Sequence, residues 1–187
     1  MSTVLILGAQ GRIGRCAALA FERAGWRVLA QARHGQLPGA QTLNLPLHDT
    51  EGLAHAAAGA QELLYAVNPP YPRWQAELLP LAREGMALAE RLGARLLLPG
   101  NVYAYGEGMP ERLDEQTPEA PSNAFGRLRQ QLELELAERA AQGRLRSLVL
   151  RAGDFFGSGT QTWFDLAVTR HWRRGRIRYP GPLDRPH

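Results

Sequence analysis

The chain has no lysine: all 22 of its Lys-plus-Arg residues are arginine. That absence excludes chemistry built on a primary amine side chain, such as a Schiff base, a P-loop lysine or a lysine proton relay. A single cysteine, Cys16, excludes an intrachain disulfide, and a cytoplasmic location is the corresponding expectation. Cys16 falls within a helical pattern on the face expected to pack, where a thiol is buried and inert. No apolar run approaches the roughly 20 residues that span a bilayer. Met1 leads straight into a strand pattern without a basic segment and cleavage site, so no signal peptide is expected. The five histidines (34, 48, 55, 171 and 187) lack metal-ligand spacing, and no metal is expected.

The net charge of +4 is unevenly placed, because six arginines and one acidic residue fall within 170–187. A nucleic-acid face normally involves the folded body. Although Trp172 is interleaved with arginines there, the expected partner is a small molecule, not nucleic acid or a membrane.

What is present is an alternation of strand and helix patterns. Strands are expected at residues 3–7, 27–32, 41–45, 62–67, 95–98 and 146–150. Helices are expected at 12–24, 49–58, 75–92, 122–141 and 161–174, with a long loop over 99–121. This order predicts an α/β fold: a doubly wound parallel sheet of the Rossmann type. Such sheets bind ligands at the carboxyl ends of their strands, which groups the loops after Leu7, Ala32, Val67, Leu98 and Leu150 around one crevice.

The segment Gly8-Ala9-Gln10-Gly11-Arg12-Ile13-Gly14 lies between the first strand and first helix, with glycines three apart. Gly8 suits a tight turn, Gly11 a close backbone approach to pyrophosphate, and Gly14 close helix–sheet packing. Gln10, Arg12 and Ile13 complete the expected cofactor contact. The second strand ends in Gln31-Ala32-Arg33-His34, without the acid that accepts from an adenosine ribose. Arg33, helped by Arg12, suits a 2′-phosphate, so the expected cofactor is NADP(H) rather than NAD(H).

Four segments in this order resemble the extended short-chain dehydrogenase/reductase family, in its NAD-dependent epimerase/dehydratase branch. They are the glycine turn; Leu97-Leu98-Pro99-Gly100-Asn101-Val102-Tyr103-Ala104-Tyr105-Gly106; Pro121-Ser122-Asn123-Ala124-Phe125-Gly126-Arg127-Leu128-Arg129; and Leu150-Arg151-Ala152-Gly153-Asp154-Phe155-Phe156-Gly157. The resemblance implies oxidoreductase chemistry on a nucleotide sugar or related carbonyl compound. It implies a Ser or Thr, a Tyr and a Lys as catalytic groups, yet this chain has Asn101, Phe125 and Arg129 at those positions. Phenylalanine has no proton to give, so the family's usual mechanism does not run here. Arg129 can still donate to ribose hydroxyls and supply charge, Asn101 can donate to a carbonyl, and Tyr103 or Tyr105 could serve as a displaced acid. Asn68, after the fourth strand, is expected beside the cofactor. Asp154 reads either as a pocket residue or as a cap on the following turn.

The resemblance divides the chain into a nucleotide-binding domain over 1–160 and the start of a substrate-binding portion over 161–187. It also implies a homodimer through helices 75–92 and 122–141. A different class of function stands beside the enzyme: a non-catalytic NADP(H)-binding sensor or scaffold, favoured by Phe125.

Overall fold

The structure is a computed structural model, and it describes residues 1–153, 155, 162 and 164–179. The chain divides into two compact units, Met1–Arg151 and Ala152–His187. The first unit begins with β1 (Thr3–Leu7), α1 (Arg12–Arg23), β2 (Arg27–Gln31), β3 (Gln41–Leu43), α2 (Thr50–Ala56) and β4 (Glu62–Tyr65). It continues through α3 (Trp74–Leu92), β5 (Arg95–Asn101) and α4 (Ala124–Ala141) to β6 (Arg146–Ala152).

The strands form one sheet in the order β3-β2-β1-β4-β5-β6. β1 pairs in parallel with β2 on one side and β4 on the other, and β2–β3 and β4–β5 are parallel as well. The order reverses direction at β1, so the switch point lies between the ends of β1 and β4. Every residue of β1 is buried, as a central parallel strand covered on both faces requires. One face carries Val4, Ile6 and Val28 against Ala18 of α1. The other carries Leu5, Leu63 and Leu96 against Leu53, Leu78 and Leu132 of α2, α3 and α4. These layers are the expected doubly wound fold.

Several boundaries differ from the sequence expectation. β5 runs on through Pro99-Gly100 to Asn101, although that dipeptide reads as a strand breaker. Leu96, Leu98 and Gly100 stay buried in strict alternation, and sheet packing overrides the local signal. The 161–174 helix is replaced, among the described residues, by a π turn over Phe164–Val168 and a 3-10 turn over Trp172–Arg174. Cys16 is exposed, not buried. The face α1 buries runs through Gly14 and Ala18, with Ala17 and Phe21 half-buried beside them, and Cys16 falls outside it.

Candidate functional site

The glycine turn is built by three close approaches. The Gly11 N–H donates to the Gly8 carbonyl at 3.0 Å and closes the turn. Gly8 has φ +72°, and a Cβ there would lie 2.9 Å from the Ala66 carbonyl oxygen. The turn therefore rests directly on the backbone that leaves β4. A Cβ on Gly14 would lie 2.5 Å from the Gly8 oxygen, so only glycine lets α1 start this close to the strand. At Gly11 the sole neighbour is the Gly8 oxygen at 3.3 Å, which leaves its other side open.

The first turn of α1 has no side-chain cap and no acidic residue. A helix start leaves its leading N–H groups without intrahelical partners, and their partial positive charge favours an anion. Arg12 adds a buried Nε with no hydrogen-bond partner among the described residues. Unsatisfied buried donors are uncommon in native proteins and mark a place where a ligand oxygen fits. Ile13 is half-buried beside it.

At the end of β2 the buried Gln31 is already committed. Its Oε1 accepts from the Gly8 N–H at 3.1 Å, and its Nε2 donates to the Leu45 carbonyl at 2.8 Å. The Gln10 amide donates to the His34 carbonyl and ties the following loop to the glycine turn. Arg33 is exposed on that loop, with no carboxylate partner among the described residues. These contacts bring Gln10, Arg33 and the glycines to one side of the switch point.

On the other side, Asn68 and Arg129 meet. The Arg129 Nη2 donates to Asn68 Oδ1 at 2.9 Å, and the guanidinium carbon stands 4.6 Å over the Trp74 ring. Arg129 is only 7% exposed, and its Nε has no hydrogen-bond partner among the described residues. Burial lowers its pKa, against the opposing pull of Glu133 and the phenols of Tyr71, Tyr65 and Tyr103. The Tyr65 hydroxyl is also buried without a hydrogen-bond partner among the described residues, and burial pushes it far above the usual phenol range.

Around Arg129 lies an aromatic wall that sequence reasoning did not assemble. Tyr71 stacks on Trp74 at 4.8 Å between centroids, and Phe125 meets both rings edge-on at 5.5 Å. The hydroxyls of Tyr71 and Tyr103 are 2.8 Å apart. Trp74 is fixed from below, its indole N–H donating to the Pro69 carbonyl at 2.8 Å. The available signal was Asn68-Pro69-Pro70-Tyr71 at a strand end, which marks a rigid loop but not where its tyrosine goes. Asn101 holds the facing 3-10 turn (Val102–Tyr105), its Oδ1 accepting from the Tyr103 N–H at 3.1 Å.

Tyr105 does not join this wall. It is 4% exposed, and its hydroxyl accepts from Arg151 Nη1 at 2.8 Å. Arg151 also donates to Glu133 Oε2, from its Nε at 2.8 Å, and pairs with Glu119. Burial raises the pKa of Glu133, while Arg151 opposes the shift. This cluster straps the 107–123 loop to α4 and β6. Asp154 lies outside the described residues.

Within the second unit, a cavity is lined by Arg170, Arg173 and Arg174 with Trp172 and Asp165, and the Arg173 guanidinium stands 5.5 Å from the Trp172 ring centroid. Among the described residues no group of three or more histidines, cysteines or carboxylates could hold a metal ion. No described helix is long and apolar enough to cross a membrane.

The family described as NAD dependent epimerase/dehydratase matches residues 4–176. No curated protein matches the chain in sequence. Among solved structures, UDP-glucose 4-epimerase from Brucella ovis in complex with NAD aligns at TM-score 0.74 and 15% identity, over 85% of this chain and 54% of that one. The dTDP-glucose 4,6-dehydratase of Bacillus anthracis, in complex with NAD, aligns at 0.76 and 16%, over 93% of this chain and 62% of that one. UDP-N-acetylglucosamine 4-epimerase from Bacillus cereus aligns at 0.71 and 12%, over 84% of this chain and 55% of that one. The chain thus spans little more than half the length of these neighbours, and at such identities the likeness shows the fold. The match over residues 4–176, on a sheet whose switch point carries the glycine turn, has one reading: the chain belongs to the NAD-dependent epimerase/dehydratase family of extended short-chain dehydrogenases/reductases.

Proposed function

We propose that this chain binds NADP(H) in preference to NAD(H) and serves an epimerase/dehydratase-like oxidoreductase reaction on a nucleotide sugar or related carbonyl compound in the cytoplasm. The observation that carries the cofactor assignment is the uncapped first turn of α1, with the unpartnered Arg12 Nε at its start. Gly8, Gln10, Gly11, Arg12, Ile13 and Gly14 would hold the pyrophosphate. Arg33 would take the 2′-phosphate, a role for which Gln31 has no free amide. Asn68 and Arg129 would hold the nicotinamide-side ribose, and the spare Arg129 Nε offers a further donor.

A nicotinamide ring bound there would supply or accept hydride. The chain's own residues then orient the substrate oxygen and move its proton. Asn101 spends its carbonyl on the turn and keeps its amide N–H groups for a substrate oxygen. Tyr103 is the better placed displaced acid, because Tyr105 is buried against Arg151. The arginines of the second-unit cavity suit a diphosphate by charge. The same reading includes a homodimer through α3 and α4, whose exposed side carries Leu134.

One observation favours a second reading. Phe125 offers a ring, 40% exposed, where the family's proton donor stands, as a non-catalytic NADP(H) sensor or scaffold would allow. Fluorescence titration with NADPH and NADH, followed by turnover over a panel of carbonyl compounds, separates the two. Tight NADPH binding with turnover supports the enzyme; binding without turnover supports the sensor. No binding of either nucleotide sinks both.

A further inference from the structure

Tyr71 has no role in the reading above, and its surroundings give it one. Its hydroxyl is 2.8 Å from that of Tyr103, and either oxygen could be the donor in that bond. Its ring meets Phe125 edge-on at 5.5 Å, so a phenol lies beside the side chain that lost one. Tyr71 is 49% exposed and Tyr103 37%, and the hydrogen bond between them lies at the exposed surface. The Arg129 guanidinium is close enough to feel both phenols electrostatically, and it bonds Asn68 at 2.9 Å. Asn68 follows directly on Ala66 and Val67, against which the glycine turn packs.

We propose that Tyr71 and Tyr103 form a two-phenol acid–base unit that supplies the proton Phe125 cannot, with Arg129 as its permanent counter-charge. The inference rests on the cofactor reading above. With hydride supplied by a reduced nicotinamide, the C=O π bond of the substrate breaks. A C–H bond forms at the carbonyl carbon, and an O–H bond forms with the proton of one phenol. That phenol keeps the electron pair as a phenolate, stabilised by its partner's O–H and, electrostatically, by the Arg129 guanidinium. The hydrogen bond between the two oxygens lets the proton be replaced from solvent through the second phenol. In the oxidative direction each transfer reverses. Arg129 is coupled electrostatically to both phenols, and also to Glu133 of α4 and Tyr65 of β4. Neither phenol needs a lysine, because a guanidinium holds the positive charge without taking part in proton exchange.

The test uses the full chain and its Tyr71→Phe, Tyr103→Phe and doubly substituted forms. NADPH affinity is read first by fluorescence, then nitration of each tyrosine by tetranitromethane is mapped by mass spectrometry with and without NADPH. Turnover over a carbonyl panel is read last. The expected result is NADPH affinity within about twofold of wild type, and nitration of Tyr71 and Tyr103 suppressed by NADPH in the wild-type chain. Turnover should fall about 100-fold or more in the double variant, the scale of a lost general acid. Nitration of both phenols unaffected by bound NADPH overturns the proposal. So does turnover that survives the double substitution, or a wild-type chain that binds NADPH and shields the phenols yet turns over nothing. Absence of NADPH binding overturns the cofactor reading itself, a separate result read in the first step.

Discussion

Arg33 carries the sharpest prediction at the scale of single residues. A charge-assisted hydrogen bond is worth about 1.5–3 kcal/mol, so Arg33→Ala should weaken NADPH about tenfold or more and leave NADH nearly unchanged. Paired titrations check this, and an equal loss for both nucleotides would remove Arg33 from the phosphate. Gly14 is a second test. A methyl group there would press to 2.5 Å from the Gly8 oxygen, and overpacking of this kind costs about 1–3 kcal/mol. Gly14→Ala should lower the thermal midpoint and weaken NADPH together. Melting with and without nucleotide checks both, and a variant that loses neither stability nor affinity would make this glycine incidental.

Much of this was legible in the residues. The glycine turn, the missing acid after β2 and the Asn101/Phe125/Arg129 departures are all local patterns. The side-chain fates were not. Gln31, Tyr105 and Glu133 turn inward because β2, the 3-10 turn and α4 bring them under other elements, and nothing in their immediate neighbours in the chain says so. Cys16 lies outside the buried face of α1, which helical periodicity alone leaves ambiguous by one residue.

Among the elements, the α3–α4 pair is held by two ionic clamps. Arg83 bonds Glu135 in bidentate fashion at 2.9 and 2.7 Å, and Glu90 accepts from Arg139 at 2.6 Å and from Arg144 at 2.8 Å. The hydrogen bond from Arg83 lowers the pKa of Glu135. The pKa of Glu90 is lowered too, its arginine partners outweighing the opposing effect of burial. A lowered native pKa means that the unfolded chain binds protons more readily in acid. The clamps therefore stabilise fully above about 4.3, the ordinary glutamate value, and are lost as pH falls through the lower native values. Melting from pH 3 to 6 should show an acid limb that Glu135→Gln flattens; an unaltered limb would mean the clamp contributes nothing measurable, as many exposed pairs do. The cap of α4 belongs to this scale as well. Asn123 Oδ1 accepts from the Gly126 N–H at 2.9 Å, and Asn123→Ala should cost about 1 kcal/mol. Denaturant unfolding reads that loss directly. In the first unit, helix starts and stops were legible in the sequence to within about two residues. β5 extends past Pro99-Gly100 because burial of alternate residues outweighs that local breaker only once the sheet has formed.

For the molecule as a whole, the proposed self-association runs through α3 and α4. The outward side of α4 exposes Leu134 at 53%, among polar neighbours. If the chain pairs through α3 and α4, sedimentation should show a dimer, and Leu134→Glu should shift it to monomer without loss of NADPH binding. A wild-type monomer at all concentrations would remove that contact.

The Arg129 guanidinium beside the aromatic wall holds a charge that titration does not remove. A lysine in that place could surrender its charge when desolvated, and the local field would then fade with alkalinity. An arginine stays protonated even where burial works against it. This guanidinium is thus a fixed electrode, set when the helix folds and indifferent to the surrounding medium. Ligands that settle there must bring electron density to meet it. The electrostatic share of their affinity should run level from mildly acidic to mildly alkaline solution, a flat line that calorimetry across buffers can draw.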